Sequence, residues 1–435
     1  MQIKEIYKLY KAHPIIVTDT RKIVENSIFF ALKGDNFNGN LFAKKALEEK
    51  AKYAIVDEDI DSTSSRIIKV ENVLETLQKL AQHHRSTLNI PVIGITGTNG
   101  KTTNKELINI VLSSKYKVLS TKGNLNNHIG VPLTILEINN SHDIAIIEMG
   151  ANHVDEIAEL CEICKPNIGL VTNTGMAHLE GFGSYKNIIK TKAALYEYVN
   201  KNNGINFCLS ENTDILNFLD KNYKFTFFSC KDSQISNYGY GKNNNSQLDF
   251  IVKQLDPKTI INEVISTKLV GIYNETNIMA AISMANYFKI DLKQIKSSLE
   301  NYEPTNNRSQ LQKTKRNTLI LDAYNANPSS VPNAIQNMSE SKHNKKVIIL
   351  GDMFELGDYT EQKHTEMVEI LETESFNRVI LIGEAYYNCK RNKQFENYRN
   401  LKDFVDLGNL NEITESLILI KGSRGMKMEQ LADYL

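Results

Sequence analysis

The chain has 435 residues, which corresponds to about three domains. Lysine plus arginine is 51 and aspartate plus glutamate is 51, so there is no formal net charge. That excludes a general nucleic-acid binder, which needs clustered positive charge, but leaves room for a local phosphate site. An apolar fraction of 41%, with only 22 glycines and 8 prolines, excludes long disordered or collagen-like tracts.

The N-terminus, Met1-Gln2-Ile3-Lys4-Glu5-Ile6-Tyr7-Lys8, carries charges where a signal peptide has its apolar core. No apolar run approaches the roughly 18 residues of a membrane-spanning helix, so a cytoplasmic protein without a membrane span is expected. The first part, to about Asn89, holds short apolar runs at Ser27–Leu32 and Tyr53–Val56. A helical stretch from Phe42 to Lys50 separates them, and a helix over Val73–Ser86 leads out. The second part begins at Pro91. Val92–Ile95, Asp143–Ile147 and Ile168–Val171 read as strands, and Thr103–Ser113 as a helix. Strand and helix at this spacing predict a parallel sheet with crossovers. Cys161 and Cys164 form a C-x-x-C in a helical pattern with no second Cys/His pair nearby, so buried, reduced thiols are expected. The polar, Gly/Asn-rich stretch Tyr238–Gln247 reads as an exposed loop, and Asn274–Phe288 as an apolar helix. The third part starts near Glu303-Pro304. Thr318–Leu321, Val347–Leu350, Val379–Ile382 and Leu417–Ile420 predict a second open α/β sheet. Open sheets bind ligands beyond the carboxyl ends of their strands, so a site at the junction of the two sheets follows.

One string carries the chemistry: Gly94-Ile-Thr-Gly97-Thr98-Asn99-Gly100-Lys101-Thr102-Thr103. A buried strand feeds it and a helix leaves it. Glycines let successive N–H groups turn toward one anion, and the helix N-terminus adds partial positive charge. Lys101 is placed to reach the outer phosphates of a nucleotide, and the Thr102 hydroxyl to ligate Mg²⁺. The general phosphate-loop pattern wants a glycine where Ile95 stands, so this is the compact Gly-Thr-x-Gly-Lys-Thr form. A kinase or GTPase would use the same loop. Glu148 closes the neighbouring strand, where such enzymes place a Mg²⁺ ligand. His178 lies in a Gly-punctuated loop after the third strand, on the same side.

Together with Glu148-Met-Gly-Ala, Thr172-Asn-x-Gly-x-Ala-His178-Leu-Glu and Gly271-Ile-Tyr-Asn274-Glu-Thr-Asn277, the phosphate loop resembles the Mur ligases, the ATP-dependent amino-acid and peptide ligases of peptidoglycan precursor synthesis. Four further stretches are similar to the member that adds D-alanyl-D-alanine: Gly123–Leu133, Asp322-Ala-Tyr-Asn-Ala-Asn-Pro-Ser-Ser330, Leu350-Gly-Asp-Met-Phe-Glu-Leu-Gly357 and Lys421-Gly-Ser-Arg-Gly425. Asp19-Thr-Arg21 with Phe29–Gly34 fits a nucleotide-sugar-binding unit. The resemblance implies three α/β domains: a small UDP-sugar-binding domain at 1–89, a central phosphate-loop ATPase domain with a parallel sheet at 90–303, and a Rossmann-like ligase domain at 304–435. It implies ATP and Mg²⁺ as cofactors, UDP-N-acetylmuramoyl-tripeptide and D-alanyl-D-alanine as substrates, and a monomer.

Residue by residue, the resemblance makes Glu148 and His178 metal ligands and adds a carbamylated lysine, which is Lys192 by its spacing to Tyr196, with Lys190 competing. It places Asn274 and Asn277 at the adenine, and Arg308 and Asp322 at phosphate and ribose. Tyr324, Asn325 and Asn327 continue that wall. Thr20, Arg21, Asn126, Asn127 and His128 face the substrate. Tyr273 stands where the family usually has His, and Lys50 where a Gly often ends the N-terminal helix. No base for the amine is assigned: His364 is one candidate, but it reads rather as a surface helical histidine. A sibling ligase or a folylpolyglutamate synthetase would share the central part, but the Asp322–Pro328 string argues against both.

Overall fold

The computed structural model describes residues 2–244, 247–257, 259–305, 307–390, 393 and 395–435. Among the described residues the chain builds three larger open sheets in succession, with a two-stranded hairpin, Lys33–Gly34 against Phe37–Asn38, beside the first. The first is all parallel, in the order Ile16–Val17, Ile28–Phe30, Tyr53–Val56, Ile67–Lys69. Lys50 ends its helix at φ 75°, in the left-handed turn where a glycine is the usual residue.

Among the described residues the central sheet has nine strands. Its core order is Ile205–Leu209, Ile168–Val171, Val92–Thr96, Ile144–Glu148, Val118–Ser120, all parallel. Val92–Thr96 is buried throughout, as a parallel strand covered on both faces must be. Ile93 and Ile95 pack toward the helices Lys101–Ser113 and Glu275–Tyr287, while Val92 faces Leu160 and Leu195 on the other side. The strands that follow Val92–Thr96 lie first on one side of it and then on the other. This reversal opens a crevice at the carboxyl ends, the ligand-binding position of such sheets.

The stretch read as an exposed loop is instead strand. Asn237–Asn244 pairs antiparallel with Gln247–Asp256 at the sheet's far end, and residues 245 and 246 lie outside the described residues. Leu248, Phe250 and Val252 alternate inward. The glycines that suggested a loop are there for close approach: a Cβ on Gly239 would sit 2.7 Å from the Ile251 carbonyl oxygen, and one on Gly241 2.8 Å from Ile272.

The third sheet runs Gln310–Lys313, Thr318–Asp322, Leu417–Lys421, Lys346–Gly351, Arg378–Ile382, Glu396–Tyr398. All but its first strand are parallel. His364 corrects its expectation. On helix Thr360–Thr373 it falls on the buried stripe with Met367, Val368 and Leu371, and it is fully buried. Its Nε2 accepts the Met353 N–H at 3.0 Å and its Nδ1 lies 2.7 Å from the Thr360 carbonyl. It is a clamp inside the third unit and not a surface residue.

The first unit is bolted to the central sheet through helix Val73–Ser86, whose N-terminus is capped by Asn72. Arg85 donates to the carbonyls of Cys164, Lys165 and Leu88 and to Asn167 Oδ1, at 2.9–3.1 Å. His84 Nε2 lies 2.8 Å from the Ile138 carbonyl, and Tyr10 donates to Leu136. Cys161 and Cys164 are buried beneath this helix as free thiols, and burial raises the Cys164 pKa to about 12. Among the described residues, no helix is long and apolar enough to cross a membrane.

Candidate active site

The carboxyl ends of the central and third sheets open onto one cavity of about 1210 Å³. The phosphate loop forms its floor. Gly97 has φ 142° and Gly100 φ 77°, conformations that L side chains rarely adopt. A Cβ on Gly97 would lie 2.0 Å from Thr172 Oγ1, so no side chain fits. The loop's polar groups are bonded in advance. Thr98 and Asn99 N–H donate to Asn173, and Thr172 and Asn173 donate to the Asn99 carbonyl, at 2.6–3.0 Å. Helix Lys101–Ser113 starts at the loop, so its N-terminal dipole points at the cavity.

Thr98 through Thr103 line the cavity. Lys101 Nζ donates to the carbonyls of Gly97 and Thr98 at 2.8 and 3.1 Å. Burial lowers its pKa to about 8, Glu148 opposes that shift, and the Arg308 charge adds to it. Glu148 is 2% exposed. Its Oε1 accepts from Asn126 Nδ2 at 2.8 Å, while its Oε2 is buried without a hydrogen bond, 4.0 Å from Lys105 Nζ. A buried carboxylate oxygen left open, in a cavity that Thr102 also lines, fits a hard cation such as Mg²⁺. Among the described residues, no cluster of three or more His, Cys, Asp or Glu would hold a metal alone. Mg²⁺ suits such a place, because it binds through one or two protein oxygens plus substrate phosphates.

His178 lines the same cavity, and its Nδ1 contacts the carboxylate of Glu355, which arrives from the third sheet. That contact holds the Glu355 pKa below the usual carboxylate range, against the effect of burial. His178 has φ 51° and Glu355 φ 62°, backbone conformations costing about 1–2 kcal/mol each for a residue with a Cβ. The sequence reading missed Glu355 as a site residue. The signal available was its place in the Leu350–Gly357 string.

Lys192 is 2% exposed and does not line the cavity. Its Nζ lies 5.3 Å from the Phe182 ring centroid, and burial and then the charge of Lys101 lower its pKa to about 7. Its competitor Lys190 faces solvent and pairs with Asp155 at 3.3 Å.

Asn274 and Asn277 line the cavity, yet their amides are engaged with protein. Asn277 donates to Asn274 Oδ1 at 2.8 Å and accepts from Asn104 at 2.6 Å, and Asn274 donates to the Val270 carbonyl. Asn104, 1% exposed and absent from the sequence reading, also donates to the Gly100 carbonyl. This network ties helix Glu275–Tyr287 to the loop.

The third sheet supplies the roof. Asp322 Oδ2 accepts from the buried Lys421 at 2.6 Å, and its Oδ1 from the Ser309 N–H at 3.2 Å. Lys421 also donates to the Asn325 carbonyl. Arg308 stacks on Tyr324 at 3.6 Å, and its Nε is buried without a partner. Asn327 donates to Asn99 Oδ1 at 2.8 Å, which places the third sheet directly on the phosphate loop. Tyr273 bonds Ser309 across the same seam at 2.7 Å, and burial and then Asp322 raise its pKa.

Asn126, Asn127 and His128 line the cavity's other flank, where Asn127 Oδ1 caps the N–H groups of Ile129 and Gly130. Thr20 and Arg21 are not brought to the cavity. They form a short turn on the first sheet, capped by Asp19, with Arg21 paired to Asp19 at 2.8 Å.

Residues 95–285 match the Mur ligase middle domain and residues 307–432 the Mur ligase glutamate ligase domain. The chain is 34% identical over 436 residues to the UDP-N-acetylmuramoyl-tripeptide–D-alanyl-D-alanine ligase of Bacillus subtilis, covering 97% of this chain and 92% of that one. The chain belongs to the Mur ligase family. The Escherichia coli ligase of the same name is 30% identical, with 97% and 93% covered. Among solved structures, the MurF of Acinetobacter baumannii superposes with a TM-score of 0.86 at 26% identity, over 98% of this chain and 97% of that one. Within this Mur ligase, the phosphate loop, Glu148 and His178 come from the middle-domain match, and Arg308, Asp322, Glu355 and Lys421 from the second.

Proposed function

We propose that the chain is an ATP-dependent ligase that joins D-alanyl-D-alanine to UDP-N-acetylmuramoyl-tripeptide in peptidoglycan precursor synthesis. The observation that carries this reading is 34% identity across 97% of the chain to a ligase of that name, at a site whose phosphate loop is roofed by a second sheet. A free carboxylate is a poor acyl donor and needs activation. The tripeptide carboxylate attacks the γ-phosphorus of ATP to give an acyl phosphate and ADP. The dipeptide amine then attacks the carbonyl and expels phosphate. The protein's part is placement and charge neutralisation.

Lys101 and Arg308 flank the transferring group, and the helix N-terminus and loop N–H groups bind its neighbours. Thr102, Glu148 and His178, with Lys192 as its carbamate, would hold Mg²⁺, which supplies charge neutralisation at the phosphates. A lysine whose pKa is near 7 is largely uncharged above that pH, and only the neutral amine adds carbon dioxide. Asp322 takes the ribose, and the edge near Asn274 and Asn277 takes the adenine. Their amides serve mainly to fix the loop.

The UDP end belongs to residues 1–89, where Thr20 lies half-buried and Arg21 exposed, with Asn126, Asn127 and His128 on the path inward. ATP belongs to 90–303 and the dipeptide to 304–435. The enzyme acts as a cytoplasmic monomer.

The test supplies purified protein with ATP, UDP-N-acetylmuramoyl-tripeptide and D-alanyl-D-alanine, and follows products by mass spectrometry. The pentapeptide adduct, with ADP and phosphate in equal amounts, is expected. ADP formed at full rate without the dipeptide, and no adduct, would make the chain a kinase or hydrolase instead.

A further inference from the structure

Helix Lys101–Ser113 carries a second lysine one turn beyond Lys101, on the same face. Lys105 is 5% exposed and, unlike Lys101, does not line the cavity. Its Nζ donates to the Thr121 carbonyl at 2.8 Å. Thr121 is buried just beyond strand Val118–Ser120, and its Oγ1 accepts the Glu148 N–H at 2.9 Å. One residue therefore fixes both the ammonium and the backbone of the carboxylate beside it. Lys105 Nζ stops 4.0 Å from Glu148 Oε2, beyond hydrogen-bond reach. Among the described residues, no other carboxylate lies within 4.0 Å of Lys105.

This arrangement separates charge from lone pairs. A buried ammonium needs a counter-charge, and so does a buried carboxylate. Lys105 and Glu148 supply it to each other, yet Oε2 keeps its lone pairs for the cavity, which Glu148 lines and Lys105 does not. Asn126 bonds the other oxygen, Oε1, at 2.8 Å, but it is neutral and leaves the balance unchanged. A cation reaching Oε2 from the cavity thus meets a carboxylate already balanced from behind, and the ammonium repels it. Few other protein groups offset this, because no cluster of three or more His, Cys, Asp or Glu stands among the described residues. The missing negative charge has to arrive with the ligand, and nucleotide phosphates carry it.

We propose that Lys105 balances Glu148 from the protein side, so that the site takes a divalent cation together with a nucleotide and not alone. This rests on the reading above in which Glu148 takes Mg²⁺. Lys105 touches neither substrate nor cation. It is a positioning residue that acts through Glu148.

The test titrates Mn²⁺ alone, and Mn²⁺ with ADP, into wild type, Lys105→Met, Lys105→Gln and Lys105→Arg, read by electron paramagnetic resonance. The two neutral variants should bind Mn²⁺ alone at least about tenfold tighter than wild type, as expected when a unit charge close to a divalent ion is removed. The tightening brought by ADP should shrink correspondingly. Lys105→Arg keeps the charge and should stay within about threefold of wild type. Calorimetric melting checks that each variant is folded. Lys105→Gln, which keeps a donor for the Thr121 carbonyl, carries the test if the methionine variant is not. When Lys105→Gln is combined with Glu148→Gln, the gain should vanish. Unchanged or weaker binding of Mn²⁺ alone in the neutral variants overturns the proposal and leaves Lys105 a prop for Thr121. A gain that survives the loss of Glu148 overturns it as well. Unchanged Mn²⁺ affinity of Glu148→Gln with ADP present refutes the metal reading itself, a separate result.

Discussion

The two sheets that face the cavity present opposite kinds of edge. The central sheet's phosphate loop is bonded in advance: Asn99, Asn173, Thr172, Asn104 and Asn277 hold it in a hydrogen-bond network before any ligand arrives, with Glu148 Oε2 left open at the same edge. The third sheet's edge is under-bonded, with Arg308 Nε lacking a partner and Glu355 reaching across to another unit's histidine. A pre-bonded loop spends no reorganisation when a phosphate lands, which is the condition for electrostatic stabilisation of transferring charge. An under-bonded edge keeps its groups for substrates and for the seam. One side is a mould and the other a hand.

The largest test of this contrast is Lys101→Ala. It removes the one loop cation from the mould, and the ligation rate should fall by about 10³-fold or more in a coupled phosphate-release assay. A fall below tenfold would mean that the loop's N–H groups suffice without it.

On the other edge, Glu355→Ala frees His178. A metal-ligating histidine is usually oriented by a carboxylate on its other nitrogen, and losing that partner costs about 10- to 100-fold in metal affinity. Titration of Mn²⁺ with ADP present, read by electron paramagnetic resonance, should show a weakening of that order. Unchanged affinity would make the contact a simple interdomain latch.

Asn104→Ala breaks the network at its centre: Asn277 Oδ1 loses its donor, and the Gly100 carbonyl keeps only the backbone N–H of residue 104. Stability should drop by about 1–3 kcal/mol in urea unfolding, with a raised KM for ATP. No change in either would show that the network forms only on binding.

The smallest effect is expected at His364. Burial lowers its pKa, with the Thr360 carbonyl and Asp352 opposing, so the native state holds the ring neutral. The unfolded chain then binds the proton more readily. The stability this contributes is complete above the ordinary histidine value near 6.5 and is lost as pH falls through it, by at most about 1.4 kcal/mol per pH unit. His364→Gln should flatten the acid side of a melting-temperature profile. An unaltered slope assigns the acid sensitivity to other groups.

The sequence displayed the mould more clearly than the hand. Strand, glycines, lysine and helix are contiguous in Val92–Ser113, so local chemistry alone specifies the phosphate loop. Glu148 and His178 follow strand ends and were readable by the same logic. Asn104 was not, because an asparagine in the first turn of a helix looks like an ordinary surface residue until helix Glu275–Tyr287 is brought against it. Glu355 depends on a contact between sheets, which no periodicity encodes. The hairpin Asn237–Asp256 was hidden because its glycines serve packing there, whereas composition reads them as turns. His364 was hidden because its imidazole is satisfied by two backbone groups and behaves as core.

The Arg85 anchorage has a consequence for selection by length. A first unit pinned to the central sheet by a guanidinium with three acceptors there cannot slide toward the phosphate loop to meet a short molecule. On the proposed reading, in which the first unit takes the nucleotide end, the gap between that end and the reacting carboxylate is thus set as in a caliper. A precursor one residue too short would be gripped at its far end and still fall short of the flame.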